Sequence, residues 1–174
     1  MDLAQWNFTA PFEGIVPHLY LDTAGVMTCG VGFAVPNESE LVKLPWWPNA
    51  LEAQADYRIV RSQPAGRAAN FYAPLCKARL LSNGMQAVFA ARVAEFRKGM
   101  RDWSLERQPL PVQLALVDMA YNLGVGGLAK FAKLRAAVNA RDWSTAAAES
   151  HRNGVQQARN DATRDLFLAA KTEA

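Results

Sequence analysis

Hydrophobic and polar positions follow two rhythms along the chain, and the change falls near residue 80. In the first part, short apolar runs at 20–21 and 26–31 flank Asp22-Thr23-Ala24-Gly25. Asp and Gly suit a tight turn, so a β-hairpin is predicted there. Residues 34–79 are interrupted by Pro and Gly and predict irregular chain with one short helix, 51–61. Beyond residue 80 the spacing becomes helical. Met85, Val88, Phe89, Val93, Phe96 and Met100 share one face, and Ser82 offers an N-cap. The next helix has Pro111 in its first turn and Gly124 at its end. Leu114, Leu116, Val117, Ala120, Tyr121 and Leu123 cover most of its circumference, which predicts a buried central helix. Three further helices follow at 128–140, 141–150 (with Asp142 near its start) and 154–170. The expected fold is α+β and mainly helical. A small hairpin-bearing lobe, about 12–79, joins a helical lobe, about 80–174, within one domain of 174 residues. A ligand cleft is expected between them.

Composition narrows this picture. At 51% hydrophobic and 20% charged, the chain can bury a core without metals or disulfides. No apolar run reaches the roughly 18 residues of a membrane span. The N-terminus has an acid at position 2 and no basic residue before an apolar run, so no secretory signal is read there. Synthesis in the cytoplasm is expected, with delivery by some other route. Cys29 and Cys76 make neither a disulfide framework nor a zinc site and read as buried thiols. His18 and His151 read as surface residues without metal-ligand spacing. The net charge of +3 conceals an asymmetry: residues 1–75 carry −3 and residues 76–174 carry +6. A basic half suits an anionic polymer, either nucleic acid or bacterial cell wall. A concentrated basic stripe with interleaved aromatics is missing, which argues against nucleic acid. There is no P-loop and no nucleophile elbow.

The candidate chemistry lies in "FEGIVPHLYLDTAGVMTCGVG", where Glu13 and Asp22 stand nine positions apart before a run of glycines. Glycoside hydrolysis needs two carboxyl groups, one protonated and one ionised, across a single bond. Glu13 follows Pro11-Phe12, an apolar setting that favours the neutral acid, whereas Asp22 sits at a polar turn that favours the anion. By spacing alone, a surface Glu and a turn-capping Asp fit equally well.

The pattern E-G-x5-Y-x-D-T-x-G-x2-T-x-G-x-G, here Glu13, Gly14, Tyr20, Asp22, Thr23, Gly25, Thr28, Gly30 and Gly32, resembles the active-site motif of the phage-type lysozymes, glycoside hydrolase family 24. "MAYNLGVGGLAKFAKLRAAVNARDWSTAAAE" resembles that family's central helix and the helices after it, and "NGVQQARNDATRDLF" its C-terminal segment. Residues 34–111 lie outside the resemblance. It implies a two-lobed lysozyme-like fold and a cofactor-free muramidase that inverts at the anomeric carbon. Glu13 becomes the general acid, Asp22 the base or electrostatic partner, and Thr28 the ligand of the attacking water. Tyr20, Gly30, Phe33, Asn122 and Arg159 become substrate-site residues.

Two departures stand out. Phe33 occupies a position where the family carries histidine, so packing rather than a hydrogen bond would support the acid. Pro11 lies where the family's first helix runs, which predicts a short or absent helix. Arg159 matches an arginine that pairs with the catalytic Glu, or else lies exposed on its helix. Asn122 binds an N-acetyl group or caps its helix. Trp46-Trp47 reads as structural, with sugar stacking the alternative.

The resemblance implies peptidoglycan glycan strands as partner, a monomer, no metal, and action in the periplasm or wall of a target cell. Delivery by a holin, as a bacteriocin or through a contact-dependent secretion system fits. The last two imply a periplasmic immunity protein. The competing readings are a wall-binding module that has lost catalysis and a lytic transglycosylase.

Overall fold

The computed structural model describes residues 3–172, and these form two compact units. One comprises residues 10–90. The other comprises residues 3–9 and 91–172. Helix α1, Leu3–Glu13, gives its first residues to the second unit and its end to the first.

The first unit is built on a three-stranded antiparallel sheet of β1 (Val16–Leu21), β2 (Met27–Gly30) and β3 (Phe33–Ala34), in that order. The predicted hairpin is present, and its turn chemistry is explicit. Asp22 Oδ1 accepts from the amides of Ala24 (2.9 Å) and Val26 (2.7 Å), and Gly25 takes the left-handed φ of +78°. That turn fixes the register, pairing Leu21 with Met27 and Tyr20 with Thr28. The side chains of Tyr20 and Thr28 therefore share a face of the sheet, while Leu21 and Met27 are buried on the other.

The stretch expected to be irregular contains more order than its Pro and Gly content suggests. Asn37 caps α2 (Glu38–Leu41), and Asn49 caps α3 (Ala50–Arg61) by accepting from the Glu52 amide at 3.0 Å. The expected helix at 51–61 is α3. Strands β4 (Trp46–Trp47) and β5 (Arg79–Leu80) form a two-stranded ribbon, and α4 is Ala69–Tyr72. Trp46 is buried and its indole donates to the Leu41 carbonyl at 2.8 Å, which bears out its structural role, whereas Trp47 is exposed. Asp56 on α3 is buried and accepts from the amides of Lys77 (2.8 Å) and Ala78 (2.7 Å), tying the helix to the chain entering β5. Helix α5, Ser82–Gly99, starts at the residue expected to cap it: Met85 donates to the Leu81 carbonyl, so Ser82 is already helical.

His18 corrects an expectation. It is buried rather than on the surface, and its Nε2 lies 2.9 Å from the Ala69 carbonyl. Burial lowers its pKa despite that bond. Both cysteines are buried and free. Burial, reinforced by the charge of Asp56, pushes the Cys76 thiol up to about 11. Alkylation of the native protein is therefore expected to stay slow at pH 8.5, where an ordinary thiol is about half ionised. Rapid labelling at that pH, followed by mass spectrometry, would contradict this environment.

The second unit is helical. Helix α6 (Leu110–Leu128) packs against α9 (Gln157–Ala169), α9 against α8 (Trp143–Glu149), and α8 against α7 (Ala132–Asn139). Val112, Leu116, Val117, Met119 and Ala120 of α6 are fully buried, so the predicted central helix is the core of this unit. Gly124, with φ 71° and ψ 162°, breaks the helix where it was expected to end, and one more turn follows. Asp142 caps α8 by accepting from the Thr145 amide at 3.0 Å. Among the described residues, no single helix is long and apolar enough to cross a membrane.

Candidate functional site

Glu13 is the last residue of α1, and the chain leaves the helix through Gly14 at φ +77°. The helix is neither short nor absent: it runs for 11 residues with Pro11 inside its final turn. Anchoring upstream outweighs the proline. Gln5 donates to Thr9 Oγ1 (2.9 Å) and to the Leu114 carbonyl (3.2 Å), and Thr9 donates to Asp118 (3.0 Å). A proline near a helix end removes one backbone bond, and these tertiary bonds hold the segment helical.

The side chains of the motif converge within the first unit. Half-buried Tyr20 has its phenol pKa raised by burial and then by the negative charges of Asp22 and Glu13. Its hydroxyl thus senses both candidate carboxylates and stays protonated as a donor. Asp22 commits Oδ1 to the turn, and Oδ2 accepts no hydrogen bond among the described residues. One oxygen positions the side chain and the other remains for a ligand or water. Thr28, opposite Tyr20 in the ladder, donates its hydroxyl to the Val26 carbonyl at 3.0 Å. Its lone pairs remain available to accept from water.

The glycines have separate jobs. A Cβ on Gly30 would lie 2.5 Å from the Phe33 ring, so Gly30 makes room for that ring. Phe33 is wholly buried, and it acts by packing under β2 rather than by presenting a face to a ligand. A Cβ on Gly32 would stand 3.3 Å from Glu13 Oε2, and Gly32 has φ +67°. Gly32→Ala is therefore expected to do two things. The left-handed backbone costs about 1–2 kcal/mol of stability, and displacement of the carboxylate slows turnover by roughly 10–100-fold. Gly154→Ala meets no atom within 4 Å at φ +77°, so it should cost similar stability without the rate effect. Equal rate losses in the two variants, at matched folded fractions, would contradict the contact.

Asn122 and Arg159 belong to the second unit. Asn122 is exposed on α6, two residues before the Gly124 break. Arg159 is not exposed on its helix: it is buried and grips Asp118 with two bonds, Nε to Oδ2 at 3.1 Å and Nη2 to Oδ1 at 2.8 Å. Arg152, also buried, donates to Asp118 Oδ2 at 3.1 Å and to Thr163 Oγ1 at 2.7 Å. Asn160 clasps the Arg152 backbone in both directions, accepting at 3.1 Å and donating at 2.9 Å. Sequence reasoning missed Asp118 and Arg152. The available signal was the single acid in "LALVDMAYN", an acid inside a stripe already judged buried, which requires a buried cation.

The chain matches the family model described as phage lysozyme over residues 10–162. The matched span includes residues 34–111, which the motif resemblance left outside. Comparison with curated proteins finds no match.

Proposed function

The chain belongs to the phage lysozyme family, a family of peptidoglycan hydrolases, and from that premise we propose that it is a muramidase. It cleaves the β-1,4 bond between N-acetylmuramic acid and N-acetylglucosamine. Glu13 gives its proton to the leaving oxygen. Asp22 orients and activates the attacking water through Oδ2, and Thr28 Oγ1 accepts a hydrogen bond from that water. The reaction inverts the anomeric centre, which calls for carboxyls roughly 6.5–9.5 Å apart. Within the second unit, Asn122 is a substrate-binding residue and Arg159 a positioning residue held by Asp118.

The observation that carries this reading is the Tyr20 phenol, which lies in the joint field of Asp22 and Glu13. Two acids nine residues apart need not meet, and the effect of both on Tyr20 supports the reading that they serve one site. The one-armed use of Asp22 by its turn supports the water-activating role.

We also infer that the protein acts as a monomer in the periplasm or wall of a target cell, as an antibacterial effector countered by a periplasmic immunity protein. That inference rests on Phe33 standing where the family carries histidine.

The test identifies the bond and the stereochemistry together. Digested peptidoglycan is reduced with borohydride and hydrolysed; muramicitol is expected, and glucosaminitol would contradict the bond assignment. Proton NMR of early product should show the α anomer first, and the β anomer first would indicate retention.

A further inference from the structure

Between α5 and α6 the second unit holds an open basin of about 430 Å³. Two short 3-10 turns, Arg101–Trp103 and Leu105–Arg107, flank Ser104, which takes φ 48° and ψ 42°. That left-handed conformation is uncommon for a residue with a Cβ, and it reverses the chain so that Arg101 and Arg107 stand on either side. The turns are locked in place. Arg107 donates to the Ser104 carbonyl at 2.9 Å, Gln108 Nε2 to the Trp103 carbonyl at 3.1 Å, and Gln113 Nε2 to the Gln108 carbonyl at 2.9 Å. Buried Met100 and Leu105 close the basin from below.

Its charges are unbalanced. Arg97 donates to Gln113 Oε1 at 3.2 Å and lies 3.6 Å from Glu106, the basin's single acid. The guanidiniums of Arg101 and Arg107 are exposed and make no hydrogen bond or ion pair among the described residues. Arg141 adds a further cation, its Nη2 lying 3.4 Å from the Arg107 carbonyl. An ordinary solvated face spreads such residues along a helix. Here they surround a floor made by buried Met100 and Leu105.

We propose that this basin binds a carboxylate of the peptidoglycan stem peptides, with Arg101 and Arg107 as its donors. The proposal rests on the peptidoglycan-hydrolase reading above. A guanidinium matches a carboxylate in bidentate geometry, and two of them on a fixed turn make a site that keeps the protein on the wall. The bond-cleaving groups play no part in it.

The test is co-sedimentation of the full chain with purified sacculi in the cold, comparing wild type with Arg101→Gln/Arg107→Gln. Three sacculus preparations are used: untreated, with the stem carboxylates converted to amides by carbodiimide and an amine, and treated with hydrofluoric acid to remove phosphate polymers. The double variant should bind untreated and acid-treated sacculi at least about tenfold more weakly, the scale of losing charge-assisted hydrogen bonds. Wild type should lose as much on amidated sacculi, where the variant loses nothing further. Arg101→Lys/Arg107→Lys, which keeps the charge without the fork, should fall between. Unchanged thermal midpoints and unchanged kcat on short soluble glycans confine the effect to binding. Equal binding of wild type and variant overturns the proposal. So does indifference to amidation of the stem carboxylates, or a loss on acid treatment alone, which would assign the basin to phosphate. A wild type that binds stems but cleaves nothing would sink the muramidase reading and leave this site standing.

Discussion

Glu13→Gln is expected to lower wall hydrolysis by roughly 10²–10⁴-fold, the usual contribution of a general acid. The substitution keeps the shape of the side chain and removes its transferable proton. The contact with Gly32 is kept as well, because an amide occupies nearly the same volume beside that glycine. Turbidity loss of purified sacculi reads the effect, and circular dichroism checks that the fold is intact. Asp22→Asn should act through a different step. Its turn bonds to Ala24 and Val26 need only a carbonyl-type oxygen, which Asn supplies. The hairpin should therefore survive while water activation is lost. A fully active Glu13→Gln protein would remove the acid from the mechanism, and with it the role assigned to the motif.

The second large effect is on stability. Asp118 is fully buried and shared by two buried guanidiniums. Asp118→Asn keeps the volume but leaves both arginines beside a neutral amide. Breaking a buried pair by removing one partner typically costs about 3–5 kcal/mol. The penalty arises from buried charges that lose this carboxylate and cannot return to water. Urea denaturation should show a corresponding fall in the midpoint. The network also fastens α1 through Thr9 and α9 through Arg159 to α6, so their packing should loosen together. A loss below about 1 kcal/mol would mean that water enters the site and that the carboxylate is not the keystone of this unit.

These two residues show what was readable from the sequence. The hairpin could be read because its turn is local: Asp22 and Gly25 carry both the hydrogen-bonding and the left-handed requirement within four residues. Helix α6 could be read because its apolar positions wrap it and Gly124 interrupts it. Helix α1 was obscured, since Pro11 speaks against a helix locally while Gln5 and Thr9 are held by residues more than a hundred positions away. Helices α2 and α4, and the ribbon of β4 and β5, have two to four residues each and leave no period to detect. His18 looked like a surface residue because no local pattern reveals that Ala69 supplies its partner. The candidate acids stood out through motif spacing. What surrounds them did not: the packing of Phe33 against Gly30, and the attachment of Arg159 to Asp118, depend on contacts that only the folded chain defines.

The central claim is a two-carboxylate muramidase, and the most direct measurement is mass spectrometry of the soluble products from purified sacculi. Wild type, Glu13→Gln and Asp22→Asn are compared. The account predicts reducing muropeptides ending in N-acetylmuramic acid from wild type, and their loss in both variants. Anhydro-muropeptides that persist in Asp22→Asn would contradict it and identify a lytic transglycosylase. Sacculus binding with no product from any of the three proteins would contradict it in the other direction, leaving a wall-binding module without catalysis.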